Sequence, residues 1–333
     1  MSNNRIIECI ERADYLVSNL LGVKPGEEVL IAIDPQTDMR MANACAAAAL
    51  RCGAEYNISM MPIRGKDKAT IFPKTLELAM EACDVFIGMT TASGAAIYNN
   101  RLKELMNEKR LREASVVLRN IDNFTRGGAL ADYEKVYADG VRLQAIWRGK
   151  KHAHITTPAG TDLHMEMNQM EPIIECGIAR NPGDAMAFSD GEVSLGPVIG
   201  STYGKLVIDG PICYYGKPSI PVELRIEEGR IVEVVGGDPN ICKEIRRQIA
   251  EIKDSDNIAE IGIGLNPTCM FNGDFEEEKK AMGTCHIAMG NGFYYGQPAR
   301  SSVHIDMVQY DPTITFDGEL IVKDGKVVCL GYK

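Results

Sequence analysis

Ser301-Ser302-Val303-His304-Ile305-Asp306-Met307-Val308 is the stretch on which the fold reading turns. Apolar and polar residues alternate in it, the period of a strand whose successive side chains face opposite ways. Val303, Ile305 and Met307 take one face, toward a core, while His304 and Asp306 share the other. An imidazole and a carboxylate side by side on a rigid strand suit a divalent cation. A His and an Asp on a half-exposed strand satisfy the same spacing, so this stretch alone leaves both readings standing.

Three stretches upstream sharpen the choice. In Ile258-Ala259-Glu260-Ile261-Gly262-Ile263-Gly264-Leu265-Asn266-Pro267, the residues Ala259, Ile261, Ile263 and Leu265 form one strand face. Glu260 shares the other with Gly262 and Gly264, which leave space beside it. A carboxylate in so apolar a run needs a partner, because burying it unpaired is costly. His286, in Gly283-Thr284-Cys285-His286-Ile287-Ala288-Met289-Gly290-Asn291-Gly292, likewise shares its face with Ala288 and Gly290. Glu192 lies in Asp190-Gly191-Glu192-Val193, ahead of Pro197. Glu192, Glu260, His286, His304 and Asp306 together make an oxygen- and nitrogen-rich set for one or two divalent ions. Structural ion pairs between the two Glu and Arg or Lys are the competing account; the five residues together favour the metal.

Outward from these strands, the chain after Trp147 is strands, turns and glycines. Pro221 to Ile226 and Ile231 to Val235 read as a hairpin about Glu227-Glu228-Gly229-Arg230, and Cys242 to Ile252 as a charged helix. Thr313 to Phe316, Glu319 to Val322 and Lys326 to Leu330 read as a three-stranded meander turning at Asp317-Gly318 and Asp324-Gly325. A β-rich α+β C-terminal domain over residues 151–333, carrying the metal site, is expected. His152 and His154 also have strand spacing, with His164 nearby, so a metal pair is conceivable there. Lys150 and Lys151 adjoin them and no carboxylate motif accompanies them, so they read as a solvated strand end.

Residues 1–150 differ in texture. Arg5 to Leu21 is an amphipathic helix, and Val29-Leu30-Ile31-Ala32-Ile33-Asp34 is an apolar run of the kind found in buried parallel strands. Strands at Tyr56 to Met61, Val85 to Met89 and Ser115 to Leu118 follow, separated by helices at Met39 to Arg51, Leu76 to Ala82 and Asn100 to Arg112. This alternation predicts an α/β N-terminal domain with an open, mostly parallel, Rossmann-like sheet. The strand-end loops Asp34 to Asp38 and Thr90 to Gly94 carry neither G-x-G-x-x-G nor a Walker A pattern. Thr90 to Gly94 reads as a loop ending a strand rather than a substrate contact.

The 333 residues are 45% hydrophobic and 25% charged, ordinary for a globular chain with ample core. A net charge of -10 argues against a nucleic-acid partner and offers no polybasic patch to a membrane. The ten cysteines include no C-x-x-C pair and read as free thiols of a reducing, cytoplasmic protein. Met1 to Ala13 lacks the apolar core of a signal peptide, and no run approaches a membrane span.

The order D-G-E-V, A-E-I-G-I-G-L-N-P, G-T-x-H-I-A-x-G, H-x-D, with Thr157-Pro158-Ala159-Gly160-Thr161-Asp162-Leu163, resembles the aminopeptidase T (thermophilic metalloprotease) family. The resemblance implies two domains, a homodimer and a pair of divalent ions held by Glu192, Glu260, His286, His304 and Asp306. One departure stands out: the family's functional Tyr, seven residues past the first His, is Phe293 here, which neither ligates nor donates a hydrogen bond. Strand alternation would turn Tyr294 away from the face that Phe293 uses. The 2,5-dihydroxypyridine dioxygenase group is a more distant resemblance, similar in fold and in the H-x-D strand, and implies a single Fe(II). That group has a His where this chain has Glu260 and no His at the position of His286. A triad of His286, His304 and Asp306 can nevertheless be drawn.

The leading expectation is thus a metal-dependent hydrolase of a C–N bond in a small molecule or short peptide. One or two Zn, Co or Mn ions would act, with Glu192 or Glu260 as general base. The alternative is an Fe(II) ring-cleaving dioxygenase of a hydroxylated N-heterocycle. A third is a non-catalytic metal- or ligand-binding relative.

Overall fold

The computed structural model describes residues 5–64, 71–91, 99–116, 121–298 and 301–332. The strands in chain order begin with β1 (Glu28–Ile33), β2 (Glu55–Met60), β3 (Val85–Met89) and β4 (Arg112–Ser115). Then come β5 (His152–Thr156), β6 (Asp162–Glu166), β7 (Ile173–Glu175), β8 (Ala185–Ala187) and β9 (Glu192–Leu195). They continue with β10 (Tyr203–Ile208), β11 (Val222–Glu227), β12 (Arg230–Gly236) and β13 (Ile258–Gly264). The last are β14 (Cys285–Gly290), β15 (His304–Gln309), β16 (Thr313–Phe316) and β17 (Glu319–Val322).

Two compact units result. One comprises Met1–Glu134 with Glu175–Asp190, the other Lys135–Ile174 with Gly191–Lys333. A single boundary near residue 150 does not describe this division. The chain returns to the first unit because β8 is hydrogen-bonded to β4 and completes its sheet.

The first unit holds a five-stranded sheet in the order β2-β1-β3-β4-β8, with every pairing parallel. β1 and β3 are buried almost throughout, as apolar runs covered on both faces should be. The helices α1 (Arg5–Asp14), α2 (Met39–Arg51), α3 (Lys74–Met80) and α4 (Asn100–Asn107) alternate with the strands. Asp38 caps α2 by accepting from the Arg40 N–H, and Asn99 caps α4 by accepting from the Leu102 N–H. Each such cap is worth about 1 kcal/mol. The loop ends after β1 and β3 are tied together, since Thr91 donates to Asp34 from both its N–H and its hydroxyl, each at 2.7 Å. Residues 92–94 of the Thr90 to Gly94 loop lie outside the described residues.

The fourth strand starts earlier than the apolar run predicts. It spans Arg112–Ser115, and Val117 and Leu118 lie outside the described residues. Arg112 is buried because its guanidinium donates to the carbonyls of Leu21 and Gly22 and pairs with Glu27 at 2.7 Å. A charge satisfied in this way is invisible to a hydrophobicity pattern.

The second unit carries two sheets. The larger runs β12-β11-β10-β6-β5-β16-β17, and the smaller β15-β14-β13-β9-β7. Trp147, at the end of α5 (Tyr133–Trp147), is buried with its ring 4.6 Å from that of Phe316. Tight turns fix the hairpin registers: Glu228-Gly229, Asp317-Gly318 and Asp324-Gly325 each have both residues at positive φ. That geometry matches the twist of paired strands. Beyond Asp324-Gly325 the expected third strand of the meander is absent, and Val328–Leu330 form a single 3₁₀ turn. The buried residues there are Val327 and Leu330, three apart, which suits a 3₁₀ turn and not a strand. Among the described residues, no helix is long and apolar enough to cross a membrane.

Candidate metal centre

The smaller sheet places the site. Strands β9, β13, β14 and β15 are antiparallel neighbours, with Glu192 opposite Gly264, His286 opposite Gly262, Asp306 opposite Ala288 and His304 opposite Gly290. Every bulky polar side chain therefore faces a small residue across the ladder. A methyl group at Gly262 would lie 2.1 Å from His286 Cε1, so the glycine is what leaves room for that ring.

The five residues converge in two groups whose donor atoms lie within 4.8 Å of one another: Glu192, Glu260 and His286, and Glu260, His304 and Asp306. Glu260 belongs to both. Its Oε1 is 3.3 Å from His286 Nε2, and its Oε2 is 2.9 Å from His304 Nε2. The two histidines thus fall in different groups. Glu192, Glu260 and His286 are fully buried, Asp306 nearly so, and the His304 side chain is 11% exposed.

Two lysines and a tyrosine complete the surroundings. Lys280 Nζ is 3.0 Å from Glu192 Oε1, and Lys279 Nζ is 3.1 Å from Asp306 Oδ2. Both follow the short helix α6 (Phe275–Glu278). Glu277, Glu278 and Lys280 of this charged run are buried. A run of five charges normally reads as a solvated face, so sequence patterning carries no signal for the lysines' role. Phe293, Tyr294 and Tyr295 form a 3₁₀ turn rather than a strand, capped by Gly296 at positive φ. The turn exposes Phe293 and Tyr294 and buries Tyr295, whose ring stacks at 5.4 Å on that of His304. Strand alternation therefore does not separate Tyr294 from Phe293, since both are exposed on the turn.

The charges shift one another. Burial disfavours the charged imidazole of His304, but the Asp306 and Glu260 carboxylates outweigh it and hold its pKa well above the ordinary range. His286 is raised in the same way, burial being outweighed by Glu192 and Glu260. Asp306 is pushed well down, burial being outweighed by Lys279 and His304.

The donor set fits a divalent cation on a structural ground. His304 Nδ1 lies 2.8 Å from the Asn291 carbonyl, which only accepts, so Nδ1 carries the proton. In the neutral ring Nε2 then presents a lone pair, yet two carboxylate oxygens, on Glu260 and Asp306, stand 2.9 Å from it. Three electron-rich atoms aimed at one another require a cation, either a ring proton or a metal ion. A backbone carbonyl fixing the far nitrogen of a ligand imidazole is the usual support of such sites. The donors are imidazole and carboxylate only, which suits Fe(II), Mn(II), Co(II) or Zn(II).

The fold and this cluster define a metal-binding enzyme with a parallel α/β unit and a β-rich unit bearing the donors. The chain belongs to the 2,5-dihydroxypyridine 5,6-dioxygenase family, whose sequence model matches residues 16–329. The curated 2,5-dihydroxypyridine 5,6-dioxygenase of Pseudomonas putida KT2440 is 24% identical over 201 residues. That match spans 56% of each chain, a little over half the length of the curated relative. The solved 2,5-dihydroxypyridine dioxygenase structure from P. putida KT2440 superposes with a TM-score of 0.81 at 18% identity, covering 97% of both chains. AmpT from Thermus thermophilus superposes at 0.67 with 16% identity, covering 97% of this chain and 99% of that one.

The resemblance to aminopeptidase T as the leading family is therefore corrected, and the two resemblances change places. The motifs that carried it are a handful of donor-bearing strands, whereas the family match runs over residues 16–329 and the fold likeness over 97% of the chain.

Proposed function

We propose that this chain is a non-haem Fe(II) enzyme that opens the ring of a hydroxylated pyridine-type N-heterocycle with dioxygen. The observation that carries the reading is the His304–Asp306 pair on β15, with His304 Nδ1 anchored to Asn291 and Glu260 closing the triad. Membership of the dioxygenase family supports it. The chain lacks that group's His at position 260, but it has His286 on the adjacent strand, with Nε2 3.3 Å from Glu260. An imidazole thus reaches the same neighbourhood from another strand.

Glu260, His304 and Asp306 would hold the ion, with His286 and Glu192 completing the set. Ferrous iron, when bound, supplies the redox chemistry with dioxygen that the side chains lack. The chain's own work is electrostatic and positional. Asn291 keeps His304 in the tautomer that ligates through Nε2. Tyr295 packs on that ring and fixes its plane. Lys279 and Lys280 offset part of the charge of three buried carboxylates, and their ammonium groups would favour an anionic, ring-deprotonated substrate. Glu192, where it is not engaged by the ion, would act as general base toward the ring hydroxyl.

A second reading is favoured by one observation. The two oxygens of Glu260 face different donor groups, so Glu192 with His286 and His304 with Asp306 would each help hold an ion, as a two-metal C–N hydrolase requires. Elemental analysis of protein purified without air, beside His304→Ala, separates the two. One iron per chain, with oxygen consumed in step with loss of 2,5-dihydroxypyridine or a related hydroxypyridine, is the expected result. Two Zn, Mn or Co per chain, with amide hydrolysis and no oxygen uptake, would overturn it in favour of the hydrolase. A non-catalytic relative would bind metal and turn over neither substrate. Cytoplasmic location and a homodimer belong to the same proposal, to be checked by fractionation and by light scattering.

A further inference from the structure

The larger sheet of the second unit carries a second convergence of metal-binding side chains. β5 and β6 pair antiparallel with His152 opposite Glu166, His154 opposite His164, and Thr156 opposite Asp162. Alternation puts these six on one face. The imidazoles of His154 and His164 stack face to face, their centres 3.9 Å apart and their planes 5° from parallel. Tyr203, on β10 opposite His164, continues the stack at 5.1 Å. Asp162 Oδ1 lies 2.8 Å from His154 Nε2 and 3.5 Å from His164 Nε2. One carboxylate oxygen and two ring nitrogens thus lie within 4.8 Å of one another, on side chains exposed enough for the rings to turn toward a shared ion. From the sequence alone, His154 reads as a solvated strand end without a carboxylate motif. The carboxylate comes from the neighbouring strand.

The geometry points to a second, solvent-accessible site for a divalent transition metal, held by His154, Asp162 and His164. Two imidazoles to one carboxylate favour Zn(II), Cu(II) or Ni(II) over Mg(II) or Ca(II), which prefer all-oxygen sets. The side chains are 41%, 64% and 39% exposed, so water completes the coordination. His154 and His164 line a shallow recess of about 360 Å³ that also includes Glu166, Tyr203 and Asp317, with Asp162 at its side within hydrogen-bond reach of His154. Such a metal cross-links β5 to β6 near the middle of the seven-stranded sheet and stabilises the second unit without belonging to the buried centre. Its donors come from the other sheet, so the inference stands whatever chemistry the buried centre performs.

The test is a Zn(II) titration of the chelator-stripped full chain, read by competition with a chromophoric chelator, for the wild type, His164→Gln, Asp162→Asn and His304→Ala. The expected result is one zinc equivalent fewer in His164→Gln, and affinity for that equivalent lowered about tenfold or more in Asp162→Asn. Zinc should also raise the melting temperature of the wild type by more than that of either variant. Asp162→Asn alters an exposed charge and no volume, so it keeps the test sharp if His164→Gln folds poorly. Equal stoichiometry and affinity in the wild type and Asp162→Asn would overturn the proposal, as would loss of the equivalent in His304→Ala alone.

Discussion

At the scale of single residues, the buried acids separate into two kinds. Glu260 is surrounded by partners, so its worth lies in what it holds together. Removing the imidazole at His304 strips the shared triad of its one nitrogen donor and should lower metal content about tenfold or more. Activity should fall with it, measured by elemental analysis and turnover on the same His304→Ala preparation. Glu113 on β4 is the other kind. It is fully buried, neither carboxylate oxygen makes a hydrogen bond among the described residues, and burial, with the Asp190 carboxylate nearby, pushes its pKa up to about 8. The folded state therefore holds this proton more tightly than the unfolded chain, whose value is 4.5. Protons bound in the native state exceed those in the unfolded state between these pH values, so stability falls as pH rises through that window. The loss is roughly 4 kcal/mol by pH 8. Glu113→Gln should flatten this part of the profile and be the more stable protein at pH 8, in urea titrations run across pH.

At the scale of elements, the site is a property of the ladder β9-β13-β14-β15. Much of it is legible in sequence because its logic is local: a polar residue on alternate positions, with Gly or Ala in the neighbouring slots. That pattern singles out Glu260, His286, His304 and Asp306 before any coordinates. Gly262→Ala tests it directly, since the added methyl meets the His286 ring. Overpacking of this sort should cost about 1–3 kcal/mol. It should also reduce metal content by displacing His286, both read from one thermal melt and one metal analysis. What escaped the sequence is where patterning breaks down. Lys279 and Lys280 sit in a charge run that folds inward, and Tyr295 reaches His304 only because 293–295 coil into a 3₁₀ turn. Arg112 is hidden for the same reason, its charge satisfied by backbone carbonyls remote in sequence.

At the scale of the whole molecule, the family match extends over residues 16–329, far beyond the short strands that carry the donor motifs. The division into two units also supplies a measurement. Trp147 is the only tryptophan, and it lies in the second unit against Phe316. Its fluorescence reports unfolding of the unit that holds the donors, whereas far-ultraviolet circular dichroism reports helices of both. An ion present at a hundred times its Kd stabilises its host by about 2.7 kcal/mol. Stripping it with a chelator should lower the tryptophan transition and leave the part of the dichroism signal belonging to the first unit where it was.

The return of Glu175–Asp190 to the first unit has a consequence for biosynthesis. The parallel sheet lacks its fifth strand, and β4 keeps an open edge, until residue 187 has left the ribosome. By then β5 and β6, which belong to the other unit, are already outside the tunnel. The units are thus made in overlap, not one after the other. A nascent chain paused before β8 would present an unpaired strand to its neighbours on the polysome.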